Sequence, residues 1–103
     1  MHWSSPVDGY RLAYDRAGQG RPVVLLHGWP GDRSDFADVA ARLAADVLLP
    51  DLRGFGESDK SPASGAAEPA DYGAAGQARS VVGLLDELGL SRVVVAGYDV
   101  GSR

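Results

Sequence analysis

One short apolar segment followed by a glycine-flanked aspartate most constrains how this chain can fold. Residues 92–96 are mostly apolar and continue directly into Gly97-Tyr98-Asp99-Val100-Gly101. The segment is typical of a strand buried on both faces of a parallel sheet. Small residues two positions before and after Asp99 allow a strand and a following helix to approach closely, with the central side chain projecting at the top of the sheet. We therefore expect Asp99 in a tight, strained turn.

Two similar apolar segments precede this one. Residues 22–26 and 47–49 are each predicted to form a buried strand, whereas residues 7–15 alternate like a half-exposed strand. Helical periodicity lies between them. The first predicted helix is capped by Ser34 and carries Phe36, Val39, Ala40 and Leu43 on one face.

The second predicted helix covers about residues 71–88 and ends at Gly89. Its inward stripe is expected to consist of Ala78, Val81, Val82, Leu85 and Leu88. Strands that alternate with helices predict an α/β layered fold, with a mostly parallel sheet flanked by helices.

Composition narrows the classes of protein to be considered. The 103 residues predict one small domain, and the net charge of -4 makes nucleic acid and anionic membranes unfavourable partners. Cysteine is absent, which excludes a disulfide framework and a thiolate metal site. No apolar stretch approaches the roughly 20 residues needed to cross a bilayer. The first residues lack a signal-peptide pattern, so the expected location is the cytoplasm.

An aspartate at the centre of such a turn indicates a particular chemistry. A carboxylate is ionised near neutral pH without the help of a base. It attacks an electrophilic carbon and leaves an ester, which water must then cleave. Epoxides and carbon–halogen bonds suit this nucleophile, and amides do not. Taken alone, Asp99 is equally compatible with a structural role, accepting backbone N–H bonds at the start of a helix.

Three motifs, in order along the chain, resemble those of the α/β-hydrolase fold family. Residues 25–31 resemble its His-Gly-x-Pro segment, and residues 50–58 its Asp-x-Arg-Gly-x-Gly-x-Ser loop. Residues 95–101 resemble its nucleophile elbow, in the Asp form shared by epoxide hydrolases and dehalogenases. The resemblance implies that residues 1–103 are a single partial core domain, the N-terminal portion of the fold, truncated after the elbow. Without the cap and C-terminal part, we expect the isolated chain to be inactive and marginally folded, with its last strand at a sheet edge.

The resemblance also implies roles for individual residues. Asp99 would be the nucleophile, and the backbone N–H groups of Trp29 and Val100 would form the oxyanion hole. Pro30 matches a family proline that often follows a cis peptide bond. His27 is interpreted as a residue that organises the loop, not as the general base. Bracing of the loop by hydrogen bonds and ion pairs is expected of Asp51, Arg53, Glu57 and Asp59.

Neither a cofactor nor a metal is expected. Gly54-Phe55-Gly56 begins like a dinucleotide fingerprint, but Asp59 occupies the third glycine position and no helix is predicted to start there. The expected partners are a small apolar substrate and water.

Val100 and Trp29 favour an epoxide over a halide as substrate. The resemblance implies Trp directly after the nucleophile in haloalkane dehalogenases, usually with Asn at the position of Trp29. In fluoroacetate dehalogenases it implies Arg at the position of Val100 and a second Arg at that of Arg103. The favoured interpretation is an epoxide hydrolase that opens an epoxide to a diol through an alkyl ester on Asp99. The alternatives are a haloalkane or haloacid dehalogenase, or a catalytically dead interaction protein that keeps the fold.

Overall fold

Five strands form one mixed sheet in the order β1-β2-β4-β3-β5. The structure is a computed structural model and describes residues 1–102. The strands are β1 His2–Trp3, β2 Ala13–Ala17, β3 Pro22–Leu26, β4 Asp46–Pro50 and β5 Val94–Gly97. The three strands β4, β3 and β5 are parallel, as predicted, whereas β1 and β2 pair antiparallel at the other edge.

The crossovers between parallel strands contain the helices, as parallel pairing requires. Helix α1, Ala37–Arg42, follows a 3-10 helix over Arg33–Phe36 and leads to β4. Helix α2, Ala74–Glu87, follows a 3-10 helix over Pro69–Tyr72 and leads to β5. Within residues 1–102, no helix has the length and apolar character needed to cross a bilayer.

The first predicted strand begins later than expected. Residues 7–10 form a tight turn instead, closed by a bridge between Val7 and Tyr10, with positive φ at Asp8 and Gly9. Strand pairing therefore starts at Ala13, and the two-residue strand β1 was not predicted at all.

The cap of the first helical segment is Asp32, not Ser34. The Asp32 side chain accepts a hydrogen bond from the Ser34 backbone N–H at 2.9 Å. Hydrogen bonds from the Ser34 hydroxyl and backbone hold the pKa of Asp32 below its ordinary value. Of the predicted apolar face, Phe36 and Ala40 pack against the core. The other two members of that face, Val39 and Leu43, are exposed.

Two apolar layers cover opposite faces of the sheet, because successive side chains of a strand point to opposite sides. One cluster contains Leu12, Tyr14, Val24, Leu48, Leu52, Val81 and Leu84. The other contains Leu25, Ala45, Val47 and Leu49. The predicted burial of β3 and β4 is thus confirmed. Strand β5 lies at the sheet edge as expected, but its four residues are exposed, so its predicted burial is wrong for the described residues.

Helix α2 is rotated relative to its predicted orientation. Its buried residues are Gly76, Gln77, Ser80, Val81 and Leu84. Val81 was predicted correctly, and Leu85 and Leu88 are partly buried against the core. Ala78 and Val82 are exposed, contrary to expectation. Gln77 and Ser80 therefore face inward, whereas the apolar pattern predicted that Ala78 and Val82 would do so.

The inward polar face of α2 is explained by Arg53, whose side chain is fully buried. The Arg53 Nε donates to the Ser80 hydroxyl at 2.6 Å, and the Arg53 backbone N–H donates to the Gln77 Oε1 at 2.8 Å. Its guanidinium also donates to the carbonyls of Asp71 and Val7, and to the Asp8 carboxylate at 2.9 Å. One guanidinium thus ties the loop after β4 to α2 and to the N-terminal turn.

Replacing Arg53 should destabilise the protein strongly. Arg53→Met removes the donor from the buried Ser80 hydroxyl and from the partly buried carbonyls of Val7 and Asp71, and each unsatisfied buried group costs about 1–3 kcal/mol. We expect the free energy of unfolding to fall by at least about 3 kcal/mol in urea titrations of the protein expressed from its complete gene. Arg79→Met is the matched control, because Arg79 also pairs with Asp8 but is largely exposed; its cost should stay within about 1 kcal/mol. Equal losses in the two variants would contradict this account.

Candidate active site

Asp99 occupies a strained turn immediately after β5, as predicted. It begins a 3-10 helix over Asp99–Ser102, and its φ of +52° lies in the left-handed region that non-glycine residues seldom adopt. The Gly101 N–H donates to the Tyr98 carbonyl at 2.9 Å, and the Ser102 hydroxyl donates to the Asp99 carbonyl at 2.6 Å. These bonds close the turn and hold the uncommon backbone conformation.

The two flanking glycines are required by the backbone. A Cβ on Gly97 would collide with the carbonyl of Gly101, and a Cβ on Gly101 would collide with the carbonyls of Leu26 and His27. The obstacles are main-chain atoms, which cannot turn away as a side chain can. The predicted need for small residues at both positions is therefore confirmed.

Parallel pairing brings Trp29 to Asp99. In the register of β3 and β5, Leu26 lies opposite Gly97, so the loops that follow the two strands meet at the same edge of the sheet. The Trp29 backbone N–H donates to the Asp99 Oδ2 at 3.0 Å. The Trp29–Pro30 peptide bond is cis, as the family resemblance implies. The loop and the turn thus meet as expected, with one backbone donor already on the carboxylate.

Val100 is the second residue of the 3-10 helix that begins at Asp99. Its side chain is half-buried and, together with Leu26, Val82 and Val95, lines an apolar cleft of about 280 Å³ between α2 and β5. The catalytic roles expected of Asp99, Trp29 and Val100 stay predictions. The possible match of Arg103 to a dehalogenase arginine lies outside the described residues.

His27 is a fully buried link between two loops. Its Nε2 accepts the Leu52 backbone N–H at 3.0 Å, and its Nδ1 lies 2.9 Å from the Gly28 carbonyl, to which it donates. Both ring nitrogens are therefore used by the backbone. This geometry fits a residue that organises the loop and leaves no nitrogen for proton transfer.

A second set of contacts braces residues 50–59. The buried Asp51 carboxylate accepts the Arg33 backbone N–H at 2.6 Å, the Arg33 guanidinium and the Glu57 backbone N–H. Asp59 pairs with Arg11, which holds the pKa of Asp59 below its ordinary value. The expected bracing is therefore present, with Glu57 taking part through its backbone.

This loop does not have the arrangement of a nucleotide site. No helix begins between residues 51 and 59, so the glycines of Gly54-Phe55-Gly56 do not lead into a helix N-terminus. Among residues 1–102, no three His, Asp or Glu side chains are grouped to hold a metal ion.

Tyr98 and Asp35 are contacts that sequence analysis missed. The Tyr98 ring lies against Gly28, and its hydroxyl donates to the Asp35 Oδ2 at 3.1 Å. The two residues are 63 positions apart; Tyr98 occupies a position that the elbow motif leaves open, and Asp35 lies outside the three motifs. Only the pairing of β5 beside β3 brings them together.

Comparison with known proteins identifies the fold family of the chain that carries this site. Residues 21–103 match the family model described as the alpha/beta hydrolase fold. The chain is 39% identical over 102 residues to a soluble epoxide hydrolase of Corynebacterium sp. (strain C12), covering 97% of this chain and 33% of that protein.

Solved structures agree with that match. A crystal structure described as a putative epoxide hydrolase from Klebsiella pneumoniae has a TM-score of 0.85 at 33% identity, covering 98% of this chain and 34% of that one. A thermophilic esterase from Thermogutta terrifontis has a TM-score of 0.76 at 36% identity, covering 89% and 32% respectively. The chain thus spans about a third of the length of these relatives.

Gly101 offers a direct test of the close backbone approach. Gly101→Ala places a methyl group against two carbonyl groups, so the strand or the turn must shift. We expect a loss of stability of about 2 kcal/mol or more, the range of overpacked sites. The measurement is urea unfolding of the complete protein. Gly73→Ala is the control, because Gly73 has an ordinary negative φ and only one tight neighbour. A loss of stability in Gly101→Ala no greater than that in Gly73→Ala would argue against the close backbone approach at Gly101.

Proposed function

Because the chain belongs to the α/β-hydrolase fold family, we propose that it carries the nucleophile and the oxyanion hole of an epoxide hydrolase. The observation that carries the proposal is the Trp29 N–H bonded to the Asp99 carboxylate, at the top of a strained turn. The relatives named as epoxide hydrolases support the same assignment.

In the first step, the Asp99 carboxylate attacks a carbon of the epoxide ring. The new C–O bond makes an ester on Asp99, while the ring C–O bond breaks and its oxygen takes a proton from an acid. The Trp29 N–H donates to Oδ2 of Asp99, so we assign the attack to the other carboxylate oxygen.

In the second step, water attacks the carbonyl carbon of the ester. Negative charge develops on the carbonyl oxygen, and the backbone N–H groups of Trp29 and Val100 stabilise it. Collapse of this intermediate releases the diol and regenerates Asp99. Because both ring nitrogens of His27 are occupied, we propose that the base for the water and the acid for the ring oxygen come from outside residues 1–103.

Epoxide opening fits this chain better than the other hydrolytic reactions. A carboxylate that attacks an ester carbonyl would form an anhydride, so a serine-type acyl transfer is disfavoured with Asp99 at the centre of the turn. A departing halide needs N–H donors beside the nucleophile, and the Val100 side chain supplies none. An epoxide oxygen instead needs a proton from the far side.

We further propose a small apolar substrate and water as the partners, and action in the cytoplasm without cofactor, nucleic acid or membrane. The net charge of -4 is the basis for excluding nucleic acid and anionic membranes. A polyanion would be repelled by such a surface.

The first test of function asks whether Asp99 is the nucleophile. We expect the protein expressed from its complete gene to hydrolyse styrene oxide faster than it releases bromide from 1-bromobutane or cleaves 4-nitrophenyl acetate. Asp99→Ala should lower diol formation by at least about a thousandfold, since Asp99 is the group proposed to form the ester. Asp86→Ala, an exposed aspartate on α2, is the control and should retain activity.

Three results of this assay would change the assignment. Faster bromide release would favour a dehalogenase, and unchanged activity in Asp99→Ala would remove the nucleophile. Absence of turnover with every substrate would favour an interaction protein that keeps the fold.

The second test of function follows an oxygen atom. In a single turnover in water enriched in oxygen-18, the first diol should carry no label, because its new oxygen comes from Asp99. Label should appear in the Asp99 carboxylate, and in the diol only after further turnovers. Mass spectrometry of the diol and of the peptide containing Asp99 measures both. A labelled diol in the first turnover would mean direct attack by water.

A further inference from the structure

We propose that Tyr98 and Asp35 form a clamp that positions the Trp29 N–H against the Asp99 carboxylate. Tyr98 is the residue directly before Asp99, and Asp35 lies in the 3-10 helix that follows the Trp29 loop. The inference rests on the proposed function for its kinetic consequence, but its structural part does not.

The Tyr98 ring lies against Gly28, the residue directly before Trp29. A Cβ placed on Gly28 would come within 2.5 Å of the Tyr98 Cε2, so a larger residue at this position would displace the ring. The ring is also held by Phe36, with centroids 5.8 Å apart and planes at 77° in an edge-to-face arrangement. Movement of the ring is therefore coupled to movement of Gly28.

Asp35 contacts the same loop three residues further along the chain, at Gly31. A Cβ on Gly31 would overlap the Asp35 carboxylate, which also accepts the Tyr98 hydroxyl at 3.1 Å. Asp35 sits on a fixed element, because the neighbouring Arg33 is bonded to Asp15 and to the buried Asp51. The backbone that carries the Asp35 carboxylate is thus held in place, so the carboxylate can position Tyr98.

The two contacts fall on the residues at either end of the Trp29–Pro30 segment. Gly28 and Gly31 flank this segment, and one member of the Tyr98–Asp35 pair rests on each glycine. His27 Nδ1 also donates to the Gly28 carbonyl at 2.9 Å. These contacts restrain the glycines on both ends of the Trp29–Pro30 segment, while the Trp29 N–H donates to Asp99, the residue directly after Tyr98.

The Tyr98 hydroxyl is more important for positioning than for stability. Tyr98 is 47% exposed, and exposed hydrogen bonds contribute little to folding. A small displacement of a donor in an oxyanion hole, in contrast, has a large effect on rate. Loss of the clamp should therefore slow the step in which the Trp29 N–H stabilises charge, which is hydrolysis of the ester.

The kinetic test separates the two chemical steps in the protein expressed from its complete gene. Quenched single-turnover mass spectrometry with styrene oxide measures formation and decay of the ester on Asp99. In Tyr98→Phe and Asp35→Ala we expect decay to slow by about tenfold and formation to change by less than about twofold. Since kcat/KM ends at ester formation, kcat should fall while kcat/KM is kept. Loss of folded enzyme would instead lower kcat and kcat/KM equally.

Matched variants identify the hydrogen bond as the cause. Asp35→Asn keeps an acceptor oxygen and should restore the decay rate, whereas Asp35→Ala should not. Tyr14→Phe removes a tyrosine hydroxyl on β2, which β4 separates from β3 and β5 in the sheet, and should leave both steps unchanged.

Amide hydrogen exchange tests the clamp without any activity. In Tyr98→Phe and Asp35→Ala the Trp29 N–H should exchange at least about fivefold faster, a change that local opening permits. It should be normal in Asp35→Asn. The Leu52 N–H, held by His27 at 3.0 Å, is the internal reference and should not change.

The two measurements distinguish failure of the clamp from failure of the proposed function. Unchanged Trp29 exchange in Tyr98→Phe and Asp35→Ala overturns the clamp, whatever the activity. Faster exchange in a protein whose wild type hydrolyses no epoxide supports the clamp and overturns the proposed function. Faster exchange with equal slowing of ester formation and decay overturns its assignment to the oxyanion step.

Discussion

The whole site depends on one close approach between main-chain atoms. Strands β3 and β5 pair in parallel, and the turn after β5 folds back until Gly101 touches the carbonyls of Leu26 and His27. No side chain fits in that contact, so the path of the backbone is fixed before any functional group is considered. Asp99 has a positive φ within this turn, and its carboxylate accepts the Trp29 N–H of the neighbouring loop.

Such a strained turn persists only if its surroundings are rigid. The loop after β4 provides this rigidity through two buried charges. Asp51 is satisfied by Arg33 and by the backbone of Glu57, and Arg53 is satisfied by α2 and the N-terminal turn. Buried ionic groups are costly to desolvate unless every partner is in place. Their complete pairing therefore specifies one arrangement of the loop that His27 in turn links to Trp29.

The features predictable from sequence are those set by local pattern. The bounds of β3, the parallel pairing and the turn at Asp99 follow from apolar segments and glycine spacing. Predictions failed where a distant partner overrides the pattern. Gln77 and Ser80 face inward because they accept hydrogen bonds from Arg53. Asp32 is the N-cap in place of Ser34, because the Ser34 backbone N–H donates to the Asp32 side chain. The Tyr98–Asp35 contact has no local signal, and the catalytic roles of Trp29, Asp99 and Val100 stay predictions.

The division between backbone and side chain in this site explains how one fold accommodates different hydrolytic reactions. The Trp29 N–H and the glycine contacts are main-chain features, so they do not depend on which side chain stands at position 99. A hydroxyl there would suit acyl transfer, whereas a carboxylate suits attack on an alkyl carbon. On the function proposed above, the main chain would supply the oxyanion site, and the side chain at position 99 would determine which electrophile is attacked. On the same proposal, Tyr98 would position the Trp29 N–H for that reaction.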